Sequence, residues 1–87
     1  MQGRRVENRE HKLLEPGDYF KDADGTWYVQ TPNDMLGWLK NHHVEEHEDG
    51  TITVEAGPWG SNSILVSNGT GNKKWHGYIY RGVWKEC

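Results

Sequence analysis

A run of histidines and carboxylates from His43 to His47 is the part of the sequence best suited to chemistry. The order His-Val-Glu-Glu-His matches the H-x-x-E-H pattern with which inverted zincin peptidases bind zinc. That chemistry needs both histidines on one face of a helix, with further ligands from elsewhere in the chain. The Asp49-Gly50 pair and the β-branched residues after it predict a hairpin instead.

In a strand, residues four apart are separated by roughly 13 Å, which is too far for one metal ion. We therefore expect a solvated acidic face without a metal site, and no peptidase activity in a chain of 87 residues. A weak metal site that joins His43 to Glu55 across the ladder is the alternative.

Two other arrangements resemble reactive sites without meeting their requirements. Cys87 falls opposite His76 if the last hairpin runs to the end of the sequence, but a Cys-His nucleophile must be buried and oriented. The glycines of residues 68–72 precede Lys73 and Lys74 without the G-x-x-x-x-G-K-[ST] spacing that binds phosphate. The sequence therefore predicts a protein that is not an enzyme and uses no cofactor.

Aromatic side chains are the better candidates for a binding site. The predicted binding residues are Trp59, Trp75, His76, Tyr78 and Trp84. The three tryptophans predict a cage for a small cationic or flat aromatic ligand. Trp59 lies between glycines, where no strand alternation fixes its ring. It is therefore either a binding anchor that points outward or a cap over the open end of the fold, and the sequence leaves both open.

Basic residues among these rings raise the question of nucleic-acid binding. A stacking platform for a single strand would combine aromatic rings with Lys73, Lys74, Arg81 and Lys85. The formal net charge is −3, and the core needs two of the tryptophans. Both facts argue against a nucleic-acid partner.

Composition predicts one small domain built on aromatic side chains. Leu, Ile, Val and Phe make up only 15 of the 87 residues, while there are five Trp and four Tyr. The low net charge and these rings exclude a disordered chain. No apolar run approaches the roughly 18 residues of a membrane span, and the polar start is not a signal peptide. We therefore expect no membrane partner. The single cysteine allows no internal disulfide, so we expect the protein to be in a reducing cytoplasm.

Two parts of different character follow one another along the chain. Residues 1–15 are charged, and their weak apolar stripe predicts a mobile tail. From Pro16 glycines divide the chain into short alternating segments, which predicts a small all-β domain over residues 16–87. We expect five to seven short antiparallel strands, closed as a compact barrel or packed as a sandwich. Residues 35–40 suit either a helical turn or a short strand.

The first of three predicted hairpins has a four-residue loop over residues 22–25. That loop places Phe20 opposite Trp27. It also places Tyr19 opposite Tyr28, so that aromatic pairs cover both faces of the hairpin.

The second hairpin turns at a three-residue loop that ends at Gly50. This loop places Val44 opposite Val54 on an apolar face and Glu45 opposite Thr53 on a polar face. A two-residue loop would mix charged and apolar side chains on the buried face, so the longer loop is favoured.

The last hairpin turns at residues 81–82 and places Ile79 opposite Trp84. Trp75 then lies on the same face, which makes this the densest apolar cluster in the sequence. Tyr78, opposite Lys85, lies on the other face.

Several of these segments resemble one known family. They are His47–Val54, Ser63–Val66, Trp75–Ile79 and Gly82–Trp84, together with Glu15–Asp18 and Trp27–Asn33. They resemble a family of small uncharacterised proteins encoded by bacteriophages of actinobacteria and by their hosts. The match covers residues 15–87, with a longer junction between Val54 and Ser63 than the family pattern has. The resemblance implies a phage context and supplies no activity.

Together these inferences predict a non-enzymatic phage accessory protein that binds a host or phage macromolecule in the host bacterial cytoplasm. The resemblance implies that binding modulates host defence or metabolism. The alternative is a β-module that sequesters a small aromatic or cationic molecule in an aromatic pocket.

Overall fold

Nine short strands and no helix are formed by the residues that the computed structural model describes, namely 1–7, 14–40, 42–54, 64–67, 70 and 72–87. In chain order the strands are β1 (Arg4–Arg5), β2 (Asp18–Lys21), β3 (Trp27–Gln30), β4 (Leu36–Trp38), β5 (Glu45–Glu46), β6 (Ile52–Thr53), β7 (Ile64–Ser67), β8 (Lys74–Tyr80) and β9 (Val83–Glu86). The predicted all-β class is confirmed. The count exceeds the expected five to seven because three of the strands have only two residues.

Three sheets divide these strands. The first has the order β1-β2-β3-β4, the second pairs β5 with β6, and the third has the order β7-β8-β9. Val54 bridges Ile79 through two main-chain hydrogen bonds of 2.7 and 3.0 Å, which connect the second sheet to β8. Because β4 and β7 do not pair with each other, the described strands do not close into a barrel, and of the two predicted forms the sandwich fits better.

Residues 1–7 are part of the fold, which corrects the predicted mobile tail over residues 1–15. β1 pairs with β2 in parallel, and Arg4 lies opposite Asp18. This pair also corrects the expectation of antiparallel strands throughout. Residues 8–13 lie outside the described residues.

The physical reason for this strand is the carboxylate of Asp18, a residue that is only 2% exposed. Arg4 donates to it twice, from Nε to Oδ1 at 3.0 Å and from Nη2 to Oδ2 at 2.9 Å. The main-chain N–H of Glu15 donates to Oδ2 at 2.9 Å. A buried carboxylate is costly unless it is paired and hydrogen-bonded, so Arg4 holds β1 on the sheet. The hydrogen bond to Asp18 also raises the pKa of Arg4.

Arg5 connects β1 to the second sheet. Its guanidinium donates to the Glu46 carboxylate at 2.7 Å and to the Gly50 carbonyl at 3.1 Å. The same group lies 5.1 Å from the centroid of the Trp27 ring. The hydrogen bond from Arg5 lowers the pKa of Glu46. Because these charges are partly in solvent, the contact orients the hairpin more than it stabilises the fold.

The β5–β6 hairpin has the predicted loop. Gly50 has a left-handed φ of +88° and donates its main-chain N–H to His47 O at 3.0 Å. The His47 N–H donates to Thr51 O at 2.8 Å, which closes a three-residue loop. Glu45 lies opposite Thr53, and the predicted register is confirmed.

The β2–β3 hairpin has the same loop and not the predicted four-residue one. Gly25 also has a φ of +88°, and the Asp22 N–H donates to Thr26 O at 2.8 Å. Residue 26 therefore closes the loop, which shifts the register by one position. Phe20 lies opposite Tyr28, so the predicted aromatic pairs are wrong.

The core draws on all three sheets and combines aliphatic and aromatic side chains. Its buried members are Tyr19, Trp27, Val29, Met35, Leu39, Ile52, Val54, Ile64, Val66, Trp75, Ile79 and Trp84. The predicted cluster is confirmed, since Ile79 lies opposite Trp84 and the rings of Trp75 and Trp84 meet edge to face at 5.0 Å between centroids. The Trp84 indole N–H donates to the Gly17 carbonyl at 3.0 Å. Trp84 thereby joins β9 to the segment before β2.

Gly77 makes room for this pair of rings. It lies on the core side of β8, where a Cβ would be 2.5 Å from the Trp75 ring and 2.9 Å from the main chain of Glu86. A larger residue would have to displace the ring or β9. The Trp-His-Gly-Tyr-Ile order of β8 therefore needs glycine at its centre.

Replacement of Trp84 should measure what its ring contributes. Trp84→Ala removes the edge-to-face contact and the indole hydrogen bond, and should lower the free energy of unfolding by about 3–5 kcal/mol. Trp84→Phe keeps a ring but loses the N–H donor, and should cost about 1–3 kcal/mol. Urea unfolding followed by circular dichroism gives both values. Tyr78→Ala, on the other face of β8, is the control, and a loss equal to that of Trp84→Ala would contradict this assignment of faces.

Acid should weaken both Asp-Gly loops. The main-chain N–H of Thr26 lowers the pKa of Asp24 below 3.8. The hydroxyl and N–H of Thr51 do the same for Asp49. Because each pKa is lower in the folded state, the stabilisation is complete above the unfolded pKa and is lost as the pH falls through the folded value.

The test replaces both carboxylates by amides, which keep an oxygen acceptor but do not titrate in this range. The double variant Asp24→Asn, Asp49→Asn should lose less stability than the wild type between about pH 5 and pH 2. Urea unfolding across this range measures the difference. An equal loss in the two proteins would contradict the role given to these carboxylates.

Candidate functional site

β4 is a strand because of the turn that precedes it. Asp34 has a left-handed φ of 68°, and the Thr31 N–H donates to Met35 O at 2.8 Å. The Met35 N–H donates in turn to the Thr31 hydroxyl at 2.9 Å. This closed turn reverses the chain, so β4 returns antiparallel to β3 at the edge of the first sheet. Of the helical turn and the short strand that residues 35–40 could form, the structure has the strand, over Leu36–Trp38.

Both faces of β4 and its flanks carry apolar side chains. Met35 and Leu39 are buried in the core. Leu36 and Trp38 face the other way and are 60% and 64% exposed. Large apolar side chains that are exposed side by side mark interaction surfaces, whereas single ones are ordinary.

The exposed side of β4 forms one wall of a groove of about 500 Å³, and β7 forms the other. The two strands come close because Gly37 has no side chain; a Cβ there would be 2.5 Å from Val66 Cγ2. Leu65 on the β7 wall is 61% exposed. The described lining consists of Tyr28, Leu36, Gly37, Trp38, His42, Leu65, Val66 and Ser67.

A row of aromatic residues crosses the first sheet towards this groove. Phe20 and Tyr28 stack with 5.2 Å between ring centroids and 13° between ring planes. Tyr28 lies opposite Trp38 at a position where the two residues do not exchange main-chain hydrogen bonds. Side chains approach each other most closely at such positions. The row leads from a buried ring at Phe20 to an exposed ring at Trp38.

The free edge of β4 faces the groove. The Met35 C=O and the Leu39 N–H bond to β3 at 2.8 and 2.9 Å. Bonding alternates along an antiparallel ladder, so the N–H and C=O groups of Leu36 and Trp38 point away from β3. Within the described part of the chain, no main-chain group pairs with them.

β7 presents its own edge in the same way. The Cys87 N–H donates to His76 O at 2.9 Å, so the even-numbered residues of β8 bond to β9. Of the odd-numbered residues, Trp75 and Gly77 bond to β7 and Ile79 bonds to Val54, so the main-chain groups of Leu65 and Ser67 are directed outward. Within the described residues, two strand edges with open donors and acceptors therefore flank one groove.

The charges next to the groove are of both signs, with Asp24 near Lys40 and Glu86 near Lys74 and Leu65. Its described lining contains no carboxylate. Lys40 follows β4 by two residues, and Lys74 lies opposite Ser67 of β7. Asp34, in the turn before β4, accepts a hydrogen bond from the Gln30 side-chain amide at 2.9 Å. The described lining of the groove is thus mainly apolar and aromatic.

The predicted binding residues do not line this groove in the described part of the chain. Trp75 and Trp84 are each 3% exposed and pack against each other, so the predicted cage has no open face there. His76 is exposed and Tyr78 is half-buried, and both lie on the face of β8 away from the core. Trp59 lies outside the described residues, and its two alternatives stay predictions.

The run of histidines and carboxylates lies on the β5–β6 hairpin and not on a helix. His47 Nε2 is 2.6 Å from Thr53 Oγ1, and the Arg81 main-chain N–H donates to that oxygen at 3.1 Å. Thr53 is therefore buried beneath the β8–β9 turn, which corrects the predicted polar face. In the described ranges no three His, Cys, Asp or Glu side chains could hold a metal ion together. Glu55, the alternative partner of His43, lies outside them.

Sequence reasoning misses Trp38 because residues 35–40 are apolar at most positions. Strand alternation is invisible when both faces are apolar, and the segment is too short to show a helical period. The available signal is the Pro-Asn-Asp turn at residues 32–34, which follows a strand and favours an antiparallel return. From that return, Leu36 and Trp38 follow as the outward side chains.

None of the described residues belongs to a helix with the length and apolar character needed to cross a bilayer. Comparisons of the chain with known protein families, with curated proteins and with solved structures give no match.

Proposed function

We propose that this chain is a non-enzymatic accessory protein that binds a protein partner through the groove between β4 and β7. The observation that carries the proposal is the 64% exposure of Trp38 beside the exposed Leu36 and Leu65. Tryptophan is among the residues most enriched in the energetic centres of protein interfaces. A cluster of exposed apolar side chains of this kind is typical of a surface that a partner covers.

The resemblance of residues 15–87 to phage-encoded proteins supports the setting of this proposal. In that setting the partner is a host or phage protein in the host bacterial cytoplasm, and binding modulates host defence or metabolism. A sandwich-like packing of the first and third sheets would provide a rigid frame for the groove.

The alternative, sequestration of a small aromatic or cationic molecule, uses the same groove. A volume of about 500 Å³ is within the range of small-molecule sites, and Tyr28 and Trp38 supply aromatic rings. The two open strand edges favour a protein partner instead. A peptide backbone satisfies their donors and acceptors, whereas a small flat ligand leaves most of them to water.

Trp38→Ala should abolish partner capture without unfolding the protein. Loss of an interface tryptophan at an energetic centre costs at least about 2 kcal/mol, which is roughly a thirtyfold loss of affinity. Because most of the side chain is in solvent in the free protein, the melting temperature should change little. The measurement is a pull-down from actinobacterial lysate with quantitative mass spectrometry.

Tyr80→Ala is the matched control, because Tyr80 is also an exposed aromatic residue on a strand but does not line the groove. This variant should keep both its melting temperature and its captured proteins. Capture of the same proteins by Trp38→Ala would contradict the groove as the binding surface. A small molecule that raises the melting temperature of the wild type but not of Trp38→Ala would favour the alternative.

A further inference from the structure

We infer that the partner binds as an extended peptide strand that pairs with the free edge of β4. The inference rests on the proposed function, because it names the form of the partner at the same groove. β4 presents main-chain donors and acceptors at Leu36 and Trp38, two residues apart. This spacing is the repeat of an antiparallel ladder, so an added strand would form about four main-chain hydrogen bonds there.

Apart from β7 on the opposite wall of the groove, the other outer strands of the described sheets are protected. β9 is covered, because Gln2 bridges Val83 and the Trp84 N–H donates to Met1 O at 2.8 Å. β1 and β5 have two residues each, and all four are charged. Short, charged edges discourage the addition of another strand.

β4 lacks these protections. Its three residues include no charge and no proline, and two of them present large apolar side chains to solvent. An edge of this kind invites pairing with another chain unless a partner occupies it. Strand addition explains the open edge and the exposed side chains of β4 together.

The groove also selects the side chains of the peptide. Alternate residues of the added strand would lie beside Leu36 and Trp38 and across from Leu65, where β-branched or other apolar residues pack well. The occupant is therefore an extended segment with apolar side chains at alternate positions.

A synthetic peptide tests the inference on the whole chain. It is the acidic peptide Glu-Thr-Val-Thr-Val-Thr-Glu with blocked ends, whose glutamates keep it in solution. The acidic peptide should slow hydrogen exchange at the Leu36 and Trp38 amides by at least about tenfold, as measured by nuclear magnetic resonance. Binding of the acidic peptide without protection of these amides would overturn the inference.

Two variants at one position separate main-chain from side-chain contacts. Leu36→Ala and Leu36→Pro both remove the leucine side chain, but only Leu36→Pro removes the N–H at the free edge, where proline is tolerated. Strand pairing predicts that Leu36→Pro binds the acidic peptide at least about tenfold more weakly than Leu36→Ala, at similar melting temperatures. Equal binding by the two folded variants would overturn strand pairing and leave the proposed function intact. The proposed function fails on a different result, namely retention of the protein partner by Trp38→Ala.

N-methylated peptides repeat this test if Leu36→Pro does not fold. Methyl groups on the peptide nitrogens that face β4 should abolish amide protection, and methyl groups on the alternate nitrogens should not. Equal effects of both would overturn the inference.

Two other occupants of the β4 edge would also overturn it. Protection of the same amides by dimerisation without peptide would make the occupant a second copy of this chain. Protection by an oligothymidine strand in place of the peptide would make the occupant nucleic acid.

Discussion

The buried carboxylate of Asp18 is the interaction on which the arrangement of the sheets depends. The Arg4 guanidinium and the Glu15 N–H satisfy it with three hydrogen bonds of 3.0 Å or less. Without the arginine, a charge would remain in the interior with no cationic partner, which costs more than the pair itself contributes. β1 is therefore fixed on β2, and the residues before it are placed where they cover β9. One short segment protects two sheet edges, and among the described residues none pairs with the outer edges of β4 and β7.

Elements fixed by short-range chemistry are the ones that the sequence predicts correctly. The β8–β9 hairpin follows from a two-residue turn at residues 81–82, where both residues have positive φ. The β5–β6 hairpin follows from the need to keep one face apolar. The first hairpin carries the same Asp-Gly-Thr signal as the second, and the same three-residue loop gives the register that the structure has. β1 has no such signal, because two neighbouring arginines in a sequence predict a solvated segment. The partner of Arg4, the carboxylate of Asp18, lies 14 positions away and is known only from the structure.

The candidate site is harder to predict than the fold, because residue type does not separate packing from binding. Trp75 and Trp84 suit a core and a ligand cage equally well, and only their edge-to-face contact at 5.0 Å assigns them to the core. Trp38 lies in a segment without a clear period, and the groove that it lines has β7, a strand far away in sequence, as its other wall. The open edges of β4 and β7 likewise depend on which strands pair in three dimensions, which no local pattern specifies.

The hydrogen bonds that join Met1 to Trp84 connect positions 83 apart, and this separation has a consequence for folding kinetics. Contacts between distant positions form only after a long loop has closed, and small proteins rich in them fold in roughly milliseconds to seconds instead of microseconds. During synthesis β1 leaves the ribosome before β9 does. Until β1 and β9 are both in place, the unfinished protein exposes additional strand edges and the Gly17 carbonyl to which Trp84 donates. The time needed for that last docking step sets how long a nascent chain is vulnerable to aggregation.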